Sequence, residues 1–534
     1  MNGKKWILLI ILLGAFLRFY KLDWGEGYFF HPDEYHIVAA VDRLHFPNQM
    51  NPHLFSYGSF IVNLIYFTKL FLSSLNPKFL SLNSFLVGRF YSAFFSTLTV
   101  WVVFLISQKV FKNNKYALTS ALIIATTPGL IQQAHFTTPE STLIFWLFLF
   151  IYFSLMWIGD KKERFLYLSA ICLGVAIGTK VTALTLAPLL VLISLQGFKK
   201  KIKKTFISIF LAAASFLVVF PYSILDWKSF KATTIYELGL AQGKQIVFYT
   251  RQFINTRPVI FQIEKIFPYT LGPLILFVGI SGFILSVYLT FKKLKKIDKK
   301  ILLIIFAFLS YSVPNFFLFA KWTRFLSPTF PFFAIFSVYF LQWFSNKFNE
   351  KLFTLLLLYS FTLVHIVWTL MFFSIYLKHD VRITATSWIN QNLPKNSFIL
   401  TESRNMLEVP LLGSYTKIPY EFYDIDDNSL LEKNLPSLLV KSDYFIIQSR
   451  RLFVNHLRFP FLYPRISNFY SLLFSGKLGF TEIREFNSYP KLGRFIVPDE
   501  FAEETWSVFD HPVIRIYKKI NNIKLEDYEK LLKI

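Results

Sequence analysis

The stretch STLIFWLFLFIYFSLMWI, residues 141–158, contains no charged side chain and is followed closely by Lys161 and Lys162. About 20 predominantly apolar residues are enough for an α-helix to cross the hydrocarbon core of a bilayer. Ten comparable stretches occur elsewhere in the 534 residues, so the sequence predicts an α-helical polytopic membrane protein with about 11 transmembrane helices. The predicted spans are approximately 5–20, 89–109, 117–134, 141–158, 165–180, 183–197, 205–222, 269–291, 301–320, 328–345 and 352–377.

The composition supports membrane residence and argues against nucleic-acid binding. Hydrophobic residues make up 54% of the chain, above the roughly 45–50% of ordinary soluble domains. The formal charge of +25 comes largely from short lysine blocks between apolar runs, such as 199–204 and 292–300. Basic residues that bind nucleic acid cluster instead on one folded face. The single Cys172 lies in an apolar run and allows no intramolecular disulfide.

The distribution of basic residues predicts the orientation in the cell membrane. Basic blocks lie at 4–5, 109–115, 161–164, 199–204, 292–300 and 347–351. Cytoplasmic loops carry the excess of Lys and Arg, so the N-terminus is expected in the cytoplasm and segments 21–88, 223–268 and 378–534 outside it. Segment 58–75 is apolar but interrupted by Asn63 and Lys69, so we expect a helix that lies in the membrane interface.

The chain after Lys378 has the composition of a soluble domain. A short helix is expected before Pro394, and β-like runs occur at 397–400, 444–447 and 513–517. The sequence therefore predicts two domains, a transmembrane domain over 1–377 and an extracytoplasmic soluble α/β domain over 378–534.

Adjacent acids follow the first predicted span, in His31-Pro32-Asp33-Glu34. Carboxylates beside a membrane are costly unless they are hydrated, paired or used. One interpretation is a solvated loop acid or a helix cap. The other is a general base that accepts a proton from a hydroxyl group, or a pair of ligands for a divalent metal ion, with Asp33 and Glu34 as the candidates.

A second polar cluster includes His135, Thr137, Thr138, Pro139 and Glu140, at the outer end of the third predicted span. Pro139 can begin the next helix, and an acid in that first turn suits the helix dipole. This explains Glu140, but it explains His135 and the threonines less well, so the group is also a candidate lining of a site.

Cations occur at predicted outer helix ends, where the positive-inside bias disfavours them. These are Lys180, Lys321 and Arg324. They can be snorkelling anchors, or they can bind an anion such as a leaving phosphate and stabilise its charge. Arg251, in the loop 223–268, can bind phosphate through two hydrogen bonds or be an ordinary exposed loop residue.

Together these separated motifs resemble the polyprenyl-phosphate-dependent glycosyltransferases of C-type (GT-C) fold, the group that includes protein O-mannosyltransferases and the aminoarabinose transferases of lipid A. The resemblance covers nearly the whole chain. Its motifs are Phe30-His31-Pro32-Asp33-Glu34, Asn51-Pro52 before Tyr57-Gly58, His135-Phe136-x-Thr138, Gly178-Thr179-Lys180, Tyr249-Thr250-Arg251-Gln252, Lys321-Trp-x-Arg324-Phe-Leu-x-Pro328, and the run from Ala502 to Pro512.

The resemblance implies that Asp33 is the catalytic carboxylate and that Glu34 supports it or helps to bind a metal ion. A sugar, such as mannose or another hexose, would pass with inversion from a polyprenyl-phosphate donor to a protein, lipid or glycan acceptor. It implies carrier-phosphate contacts and further substrate contacts from His31, Tyr57, His135, Thr138, Glu140, Lys180, Arg251, Lys321 and Arg324. One departure is that the second acidic position, often Asp in the family, is Glu140 here.

Two other classes of protein are consistent with polar residues near membrane spans. A lipid or solute transporter commonly has internal repeats and acids near the bilayer midplane, whereas the acids here lie in an outer loop and no repeat is evident. A membrane scaffold with an external binding domain would leave Asp33 and Glu34 without a task. The sequence favours the transferase.

Overall fold

The structure is a computed structural model that describes residues 3–196, 201–292, 298–348, 350–403 and 408–532. These residues form two compact units. Unit 1 lies within Met1–Leu22, Asp33–Gln245 and Thr256–Phe373, and unit 2 lies within Asp23–Pro32, Ile246–Asn255 and Ser374–Ile534.

Unit 1 consists of helices. They are α1 (Gly3–Phe19), α2 (Pro32–Asp42), α3 (Phe60–Leu75), α4 (Ser84–Phe111), α5 (Asn114–Ala125), α6 (Pro128–Ala134), α7 (Glu140–Asp160), α8 (Glu163–Thr179), α9 (Ala187–Ser194), α10 (Lys201–Val219), α11 (Tyr222–Leu225), α12 (Trp227–Gln242), α13 (Ile260–Lys265), α14 (Phe267–Thr270), α15 (Pro273–Lys292), α16 (Lys299–Phe316), α17 (Thr323–Leu326), α18 (Phe330–Phe348) and α19 (Lys351–Phe373), with 3₁₀ turns at Pro77–Ser81, Val181–Leu186 and Ser327–Thr329.

Within the described ranges, seven helices are long and apolar enough to cross a membrane, and they confirm a polytopic membrane fold. They are Ser84–Phe111, Glu140–Asp160, Lys201–Val219, Pro273–Lys292, Lys299–Phe316, Thr323–Phe348 and Lys351–Phe373. The four other predicted spans also contain helices, which are shorter or interrupted: α1, α5 with α6, α8, and α9 after a 3₁₀ turn. Hydropathy therefore predicted the positions of these helices more accurately than their lengths.

The predicted span 117–134 is divided into α5 and α6. Pro128 begins α6 and lacks the N–H that a continuous helix would need, so α5 ends at Ala125. The buried guanidinium of Arg18 donates to the carbonyl oxygens of Ala125 and Ile124, at 2.7 and 2.9 Å. A cation at this helix end satisfies carbonyl groups that the interrupted helix leaves without partners.

Close helix packing in unit 1 relies on small residues. An added Cβ at Gly282 of α15 would lie 1.9 Å from the carbonyl oxygen of Phe336 in α18. Small residues at such crossings let helix backbones approach closely in membranes. The predicted interfacial segment 58–75 forms α3, where Lys69 donates to Ser84 at 2.8 Å; its interfacial placement remains a prediction.

Unit 2 contains a five-stranded sheet in the order β2-β1-β3-β7-β4 and a separate pair, β5 with β6. β1 pairs in parallel with β2 and β3, whereas β7 pairs antiparallel with β3 and β4. The strands are β1 (Phe398–Glu402), β2 (Thr416–Tyr420), β3 (Tyr444–Ile447), β4 (Phe480–Phe486), β5 (Lys491–Leu492), β6 (Phe495–Ile496) and β7 (Ile514–Lys519). The helices are α20 (Val381–Asn392), α21 (Ser429–Lys441), α22 (Phe453–Leu457), α23 (Pro464–Phe474), α24 (Glu504–Ser507) and α25 (Leu525–Leu532), with 3₁₀ turns at Phe248–Phe253 and Phe422–Asp424.

The central strand β3 is buried on both faces, whereas most residues of the edge strands β2 and β4 are exposed. Successive side chains of a strand point to opposite faces, and Phe445 and Ile447 of β3 belong to one apolar cluster while Tyr444 and Ile446 belong to the other. Helix α20 contributes to one cluster, and α21 and α23 contribute to the other. The predicted α/β character of the tail is therefore confirmed. All three predicted β-runs overlap strands, whereas β2, β4, β5 and β6 were not predicted.

Candidate active site

Helix α2 begins at Pro32 and carries Asp33 and Glu34 in its first turn. Proline suits this position because the first helical N–H groups have no partner within the helix. Carboxylates are stabilised there by the helix dipole. Adjacent positions on a helix point in different directions, and the two acids have different environments.

Glu34 is fully buried and paired with Arg89 of α4. Both side chains are 0% exposed, and two nitrogens of Arg89 donate to the two carboxylate oxygens at 2.8 and 2.7 Å. The backbone N–H of Thr137 donates to the same carboxylate at 2.6 Å, and Arg89 also donates to the carbonyl of Leu22. This pair therefore ties α2 to α4 and to the turn before α7.

Asp33 forms an ion pair with Arg324, the second residue of the α17 turn. The side chains remain 15% and 19% exposed, unlike those of the Glu34 pair. The guanidinium of Arg324 lies over the rings of Trp322 and Phe325, at 5.0 and 5.9 Å from their centroids. Thus a carboxylate with solvent access and an arginine held by aromatic rings are in direct contact.

Phe325 connects Arg324 with a second cation. The ammonium of Lys180 lies 5.0 Å from the Phe325 centroid and 5.7 Å from that of Tyr57. Cations within about 6 Å of an aromatic face are attracted to it. The motifs around Tyr57, Lys180 and Arg324 therefore meet in unit 1.

Lys180 also forms a buried ion pair with Glu140, with 2.6 Å between Nζ and Oε1. Among the described residues, Oε2 of Glu140 and the hydroxyl of Thr138 are buried without a hydrogen-bond partner. Burial raises the pKa of Glu237 in α12, and the charge of Lys180 opposes this shift. The cluster is polar, buried and able to accept further hydrogen bonds.

Glycines bring two of these motifs together. Gly58 donates its N–H to the carbonyl of Thr179 at 3.1 Å, and an added Cβ at Gly58 would lie 1.9 Å from the carbonyl oxygen of Gly178. Only glycine permits this approach. It positions Tyr57 beside Lys180.

Lys321 lies before α17 and is almost fully buried. Its ammonium donates to the hydroxyl of Thr256 at 3.0 Å and to the carbonyl of Phe319 at 2.8 Å. Burial lowers the pKa of Lys321 to about 8. Its charge at neutral pH is therefore less secure than that of Arg324.

His135 is fully buried and contacts backbone. Its two ring nitrogens lie 2.8 Å from the carbonyl oxygen of Ile131 and 3.0 Å from that of Tyr20. These contacts link the end of α6 to the segment after α1. These two contacts give the buried position of the His135 ring a structural reason.

Two predicted site residues, His31 and Arg251, belong to unit 2. The ring of His31 is 4.2 Å from that of Phe509, centroid to centroid. Arg251 donates to the carbonyl of Tyr423 at 3.1 Å and to His456 Nε2 at 2.7 Å. Burial, reinforced by Arg251, lowers the pKa of His456 to about 4, so its neutral ring can accept this bond.

The motif from Ala502 to Pro512 is also buried within unit 2. Glu503 accepts a hydrogen bond from Gln252 at 2.8 Å, and Glu504 pairs with Arg451. His511 lies between Asp499 and Asp510; burial opposes its protonation, but the two carboxylates raise its pKa to about 10. The motif from Tyr249 to Gln252 and the motif from Ala502 to Pro512 thus belong to one polar network inside unit 2.

Asp33 and Glu34, the predicted metal ligands, already have other partners in the structure. Both oxygens of Glu34 accept hydrogen bonds from Arg89, and Asp33 pairs with Arg324. Across the described ranges, no group of three or more His, Cys, Asp or Glu side chains could hold a metal ion. A divalent ion at Asp33 and Glu34 would have to displace two arginines, so the residues as arranged do not fit it.

Sequence reasoning missed two members of this region, Arg89 and Glu237. Arg89 carried a usable signal, since it lies at an outer end of a predicted span, as Lys180 does. Phe325 lies inside the motif Lys321–Pro328, but nothing in the sequence marked its ring as the contact between two cations, because the chain contains 65 Phe residues.

Comparisons with known proteins agree with this architecture. Residues 76–225 match the sequence model of the family described as dolichyl-phosphate-mannose-protein mannosyltransferase. No curated protein matches the chain.

Solved structures match over most of the chain. The apo oligosaccharyltransferase of Archaeoglobus fulgidus aligns with a TM-score of 0.51 and 14% identity, covering 85% of this chain and 71% of that chain. The same enzyme tethered with an acceptor peptide containing the NVT sequon aligns with a TM-score of 0.50 and 14% identity, covering 85% and 70%. Apo ArnT from Cupriavidus metallidurans aligns with a TM-score of 0.48 and 13% identity, covering 86% and 95%. The chain is thus a polytopic membrane protein with a GT-C fold that resembles the dolichyl-phosphate-mannose-protein mannosyltransferases.

Proposed function

We propose that this protein is a membrane glycosyltransferase that transfers a sugar, a hexose such as mannose, from a polyprenyl-phosphate carrier to an acceptor on the outer face of the membrane, with inversion. The observation that carries the proposal is the contact between Asp33 and Arg324. A carboxylate that can accept a proton and a guanidinium that can bind a phosphate lie side by side, in two motifs far apart in the chain.

The reaction assigns one task to each member of this pair. The oxygen of an acceptor hydroxyl attacks the anomeric carbon of the donor, and the bond from that carbon to the phosphate oxygen breaks on the opposite face. The hydroxyl proton passes to the carboxylate of Asp33, as in general base catalysis. The phosphate leaves with an additional negative charge, which Arg324 stabilises through paired hydrogen bonds.

Donor binding would change the partner of Arg324. In the ion pair, the cation stabilises the charged form of Asp33 and makes it a weaker base. A donor phosphate that takes over the guanidinium would weaken this effect and raise the proton affinity of Asp33. Solvent access of the pair supports such an exchange.

Glu34 and the Glu140 cluster have supporting tasks in this proposal. Glu34, with both oxygens bonded, positions α2 rather than exchanging protons. Glu140 and Thr138 offer buried oxygens to sugar hydroxyls, and Lys180 balances the charge. Lys321 adds a second cation for the carrier phosphate.

The comparisons support the donor and acceptor classes. The matching family is described by dolichyl-phosphate-mannose as donor and protein as acceptor, and one solved structure of the Archaeoglobus enzyme holds an acceptor peptide. We therefore rank a protein acceptor ahead of a lipid or glycan.

The proposed topology places the N-terminus in the cytoplasm. The transmembrane transferase domain would span about residues 1–377, and the soluble domain, 378–534, would be extracytoplasmic. The basic blocks between helices support this orientation through the positive-inside rule.

The test is release of lipid phosphate by the purified full-length protein in lipid nanodiscs. Polyprenyl-phosphate carrying radiolabelled mannose is the donor, and sugar appearing on added peptides is counted. We expect Asp33→Asn to lower the turnover number by about 100-fold or more. The matched control is Asp42→Asn, an exposed carboxylate at the other end of α2.

Two outcomes would overturn the proposal. One is equal release by wild type and Asp33→Asn. The other is movement of the intact lipid-linked sugar across the bilayer of sealed proteoliposomes without release, which would identify a transporter instead.

A further inference from the structure

Unit 2 contains a cavity of about 650 Å³ that the proposed transfer reaction does not use. It opens between the end of α23, the start of β4 and strand β7. Its lining includes Phe453, Phe474, Phe501, Tyr517, Glu482 and Arg515. This volume lies within the range of roughly 300–1,000 Å³ that is usual for small-molecule sites.

The walls of this cavity are aromatic and partly open to solvent. Phe474 is 42% exposed and Phe501 is 72% exposed. Phe474 packs on Phe453 and Tyr517, with centroid distances of 5.3 and 6.4 Å. Aromatic faces held in a concave surface offer a flat apolar platform to a ligand.

The polar groups of the cavity already form hydrogen bonds with each other. Arg515 donates to both oxygens of Glu500, at 2.8 and 2.7 Å, and the hydroxyl of Tyr517 donates to Glu482 at 3.0 Å. Each carboxylate retains lone pairs for further hydrogen bonds. Since Arg515 is engaged by Glu500 and two carboxylates, Glu482 and Glu500, line the cavity, an anionic ligand is disfavoured.

A neutral ligand with many hydroxyl groups matches this combination. The C–H faces of a hexose ring pack on aromatic rings, while its hydroxyl groups donate to carboxylates and accept from Arg or Tyr. We infer that the cavity of unit 2 binds a neutral saccharide. If the bound saccharide is a glycan acceptor, its role rests on the proposed function. Saccharide binding by itself does not depend on that function.

A peptide is the competing occupant, because β4 is an edge strand to which another strand could add. Two features of β4 oppose this addition. Its pairing with β7 shifts register between Glu482 and Arg484, and Glu482, Arg484 and Glu485 place charges along it. Bulges and charges are the usual means by which edge strands resist pairing.

The experiment probes the full-length protein in nanodiscs with an array of neutral oligosaccharides of mannose, glucose, galactose and N-acetylglucosamine, together with an array of unglycosylated peptides. We expect binding of at least one oligosaccharide. Phe501→Ala and Phe474→Ala should each weaken it about tenfold. The control is Phe461→Ala, a 97% exposed aromatic of the same unit outside the cavity.

The outcomes separate this inference from the transfer reaction. Asp33→Asn should bind the oligosaccharide as the wild type does; loss of binding in Asp33→Asn would place the sugar in unit 1 and overturn the inference. Absence of oligosaccharide binding would overturn it too, as would peptide binding that the two Phe variants abolish. Oligosaccharide binding without donor cleavage would instead contradict the transferase alone.

Discussion

Two ion pairs begin at neighbouring residues of α2 and lie in contrasting regions of unit 1. Glu34 and Arg89 are excluded from solvent, whereas Asp33 and Arg324 keep 15% and 19% of their side-chain surface exposed. A buried pair cannot lose one partner without leaving an uncompensated charge, but a pair with solvent access can exchange partners. The contrast shows that, of two adjacent acids in one motif, one can stabilise the fold while the other remains available for chemistry.

The largest effect that would sharpen this contrast is on stability. Glu34→Gln leaves Arg89 buried without its counter-charge, so we expect a loss of about 3–5 kcal/mol in the free energy of unfolding. Thermal unfolding in detergent measures it. Replacing both Glu34 and Arg89 by Met should recover part of the loss, because no buried charge then remains. A Glu34→Gln variant as stable as wild type would show that the buried pair is dispensable.

Lengthening the other acid should affect chemistry instead. Asp33→Glu keeps the charge but moves the carboxylate by about one bond, and a misplacement of about 1 Å can lower the rate about 100-fold. Because Asp33 is partly exposed, the melting temperature should stay at the wild-type value. Measuring the turnover number and the melting temperature on the same preparation tests both expectations. Lost stability with unchanged turnover would reverse the assignment of the two acids.

Removing the exposed cation should act mainly on the donor. Arg324→Gln removes a charged hydrogen-bond donor worth about 1.5–3 kcal/mol, so we expect KM for the lipid-linked sugar to rise about tenfold or more. The turnover number should fall as well, because the leaving phosphate loses the same donor. Arg324→Lys retains the charge but not the paired hydrogen bonds, so its KM should lie between those of the wild type and Arg324→Gln. Equal KM values in all three proteins would exclude Arg324 from phosphate binding.

The smallest expected effect is a pH dependence caused by Lys321. Burial lowers its pKa to about 8, so the ammonium is charged below that pH and loses its proton above it. The donor phosphodiester stays anionic throughout, and KM should therefore rise a few-fold as the pH passes about 8. Lys321→Arg remains charged and should flatten this rise. The same rise in both proteins would assign the titration to another group.

Local signals explain which parts of the fold were predictable. Each predicted apolar stretch contains a helix, because hydropathy and the 3.6-residue helix are properties of consecutive residues. The split at Pro128 shows the limit of this signal, since a proline interrupts a helix without changing average hydropathy. Strands β1, β3 and β7 of unit 2 were visible for the same local reason, whereas β2, β4, β5 and β6 were not predicted.

The candidate site was predictable in its chemistry but not in its pairings. The acids and cations were conspicuous because charge near a membrane is costly. Yet His135 proved to contact backbone, and Arg251 proved to contact Tyr423 and His456 within unit 2. Residue type alone does not reveal such contacts.

The amino-acid sequence by itself determined the membrane class of this protein, the positions of its long apolar helices and the α/β character of its tail. Only the tertiary structure decided that Asp33 meets Arg324, 291 residues away, while Glu34 meets Arg89, 55 residues away. Hydropathy acts residue by residue along the chain, whereas an ion pair forms only where helix packing brings two distant side chains within a few ångströms.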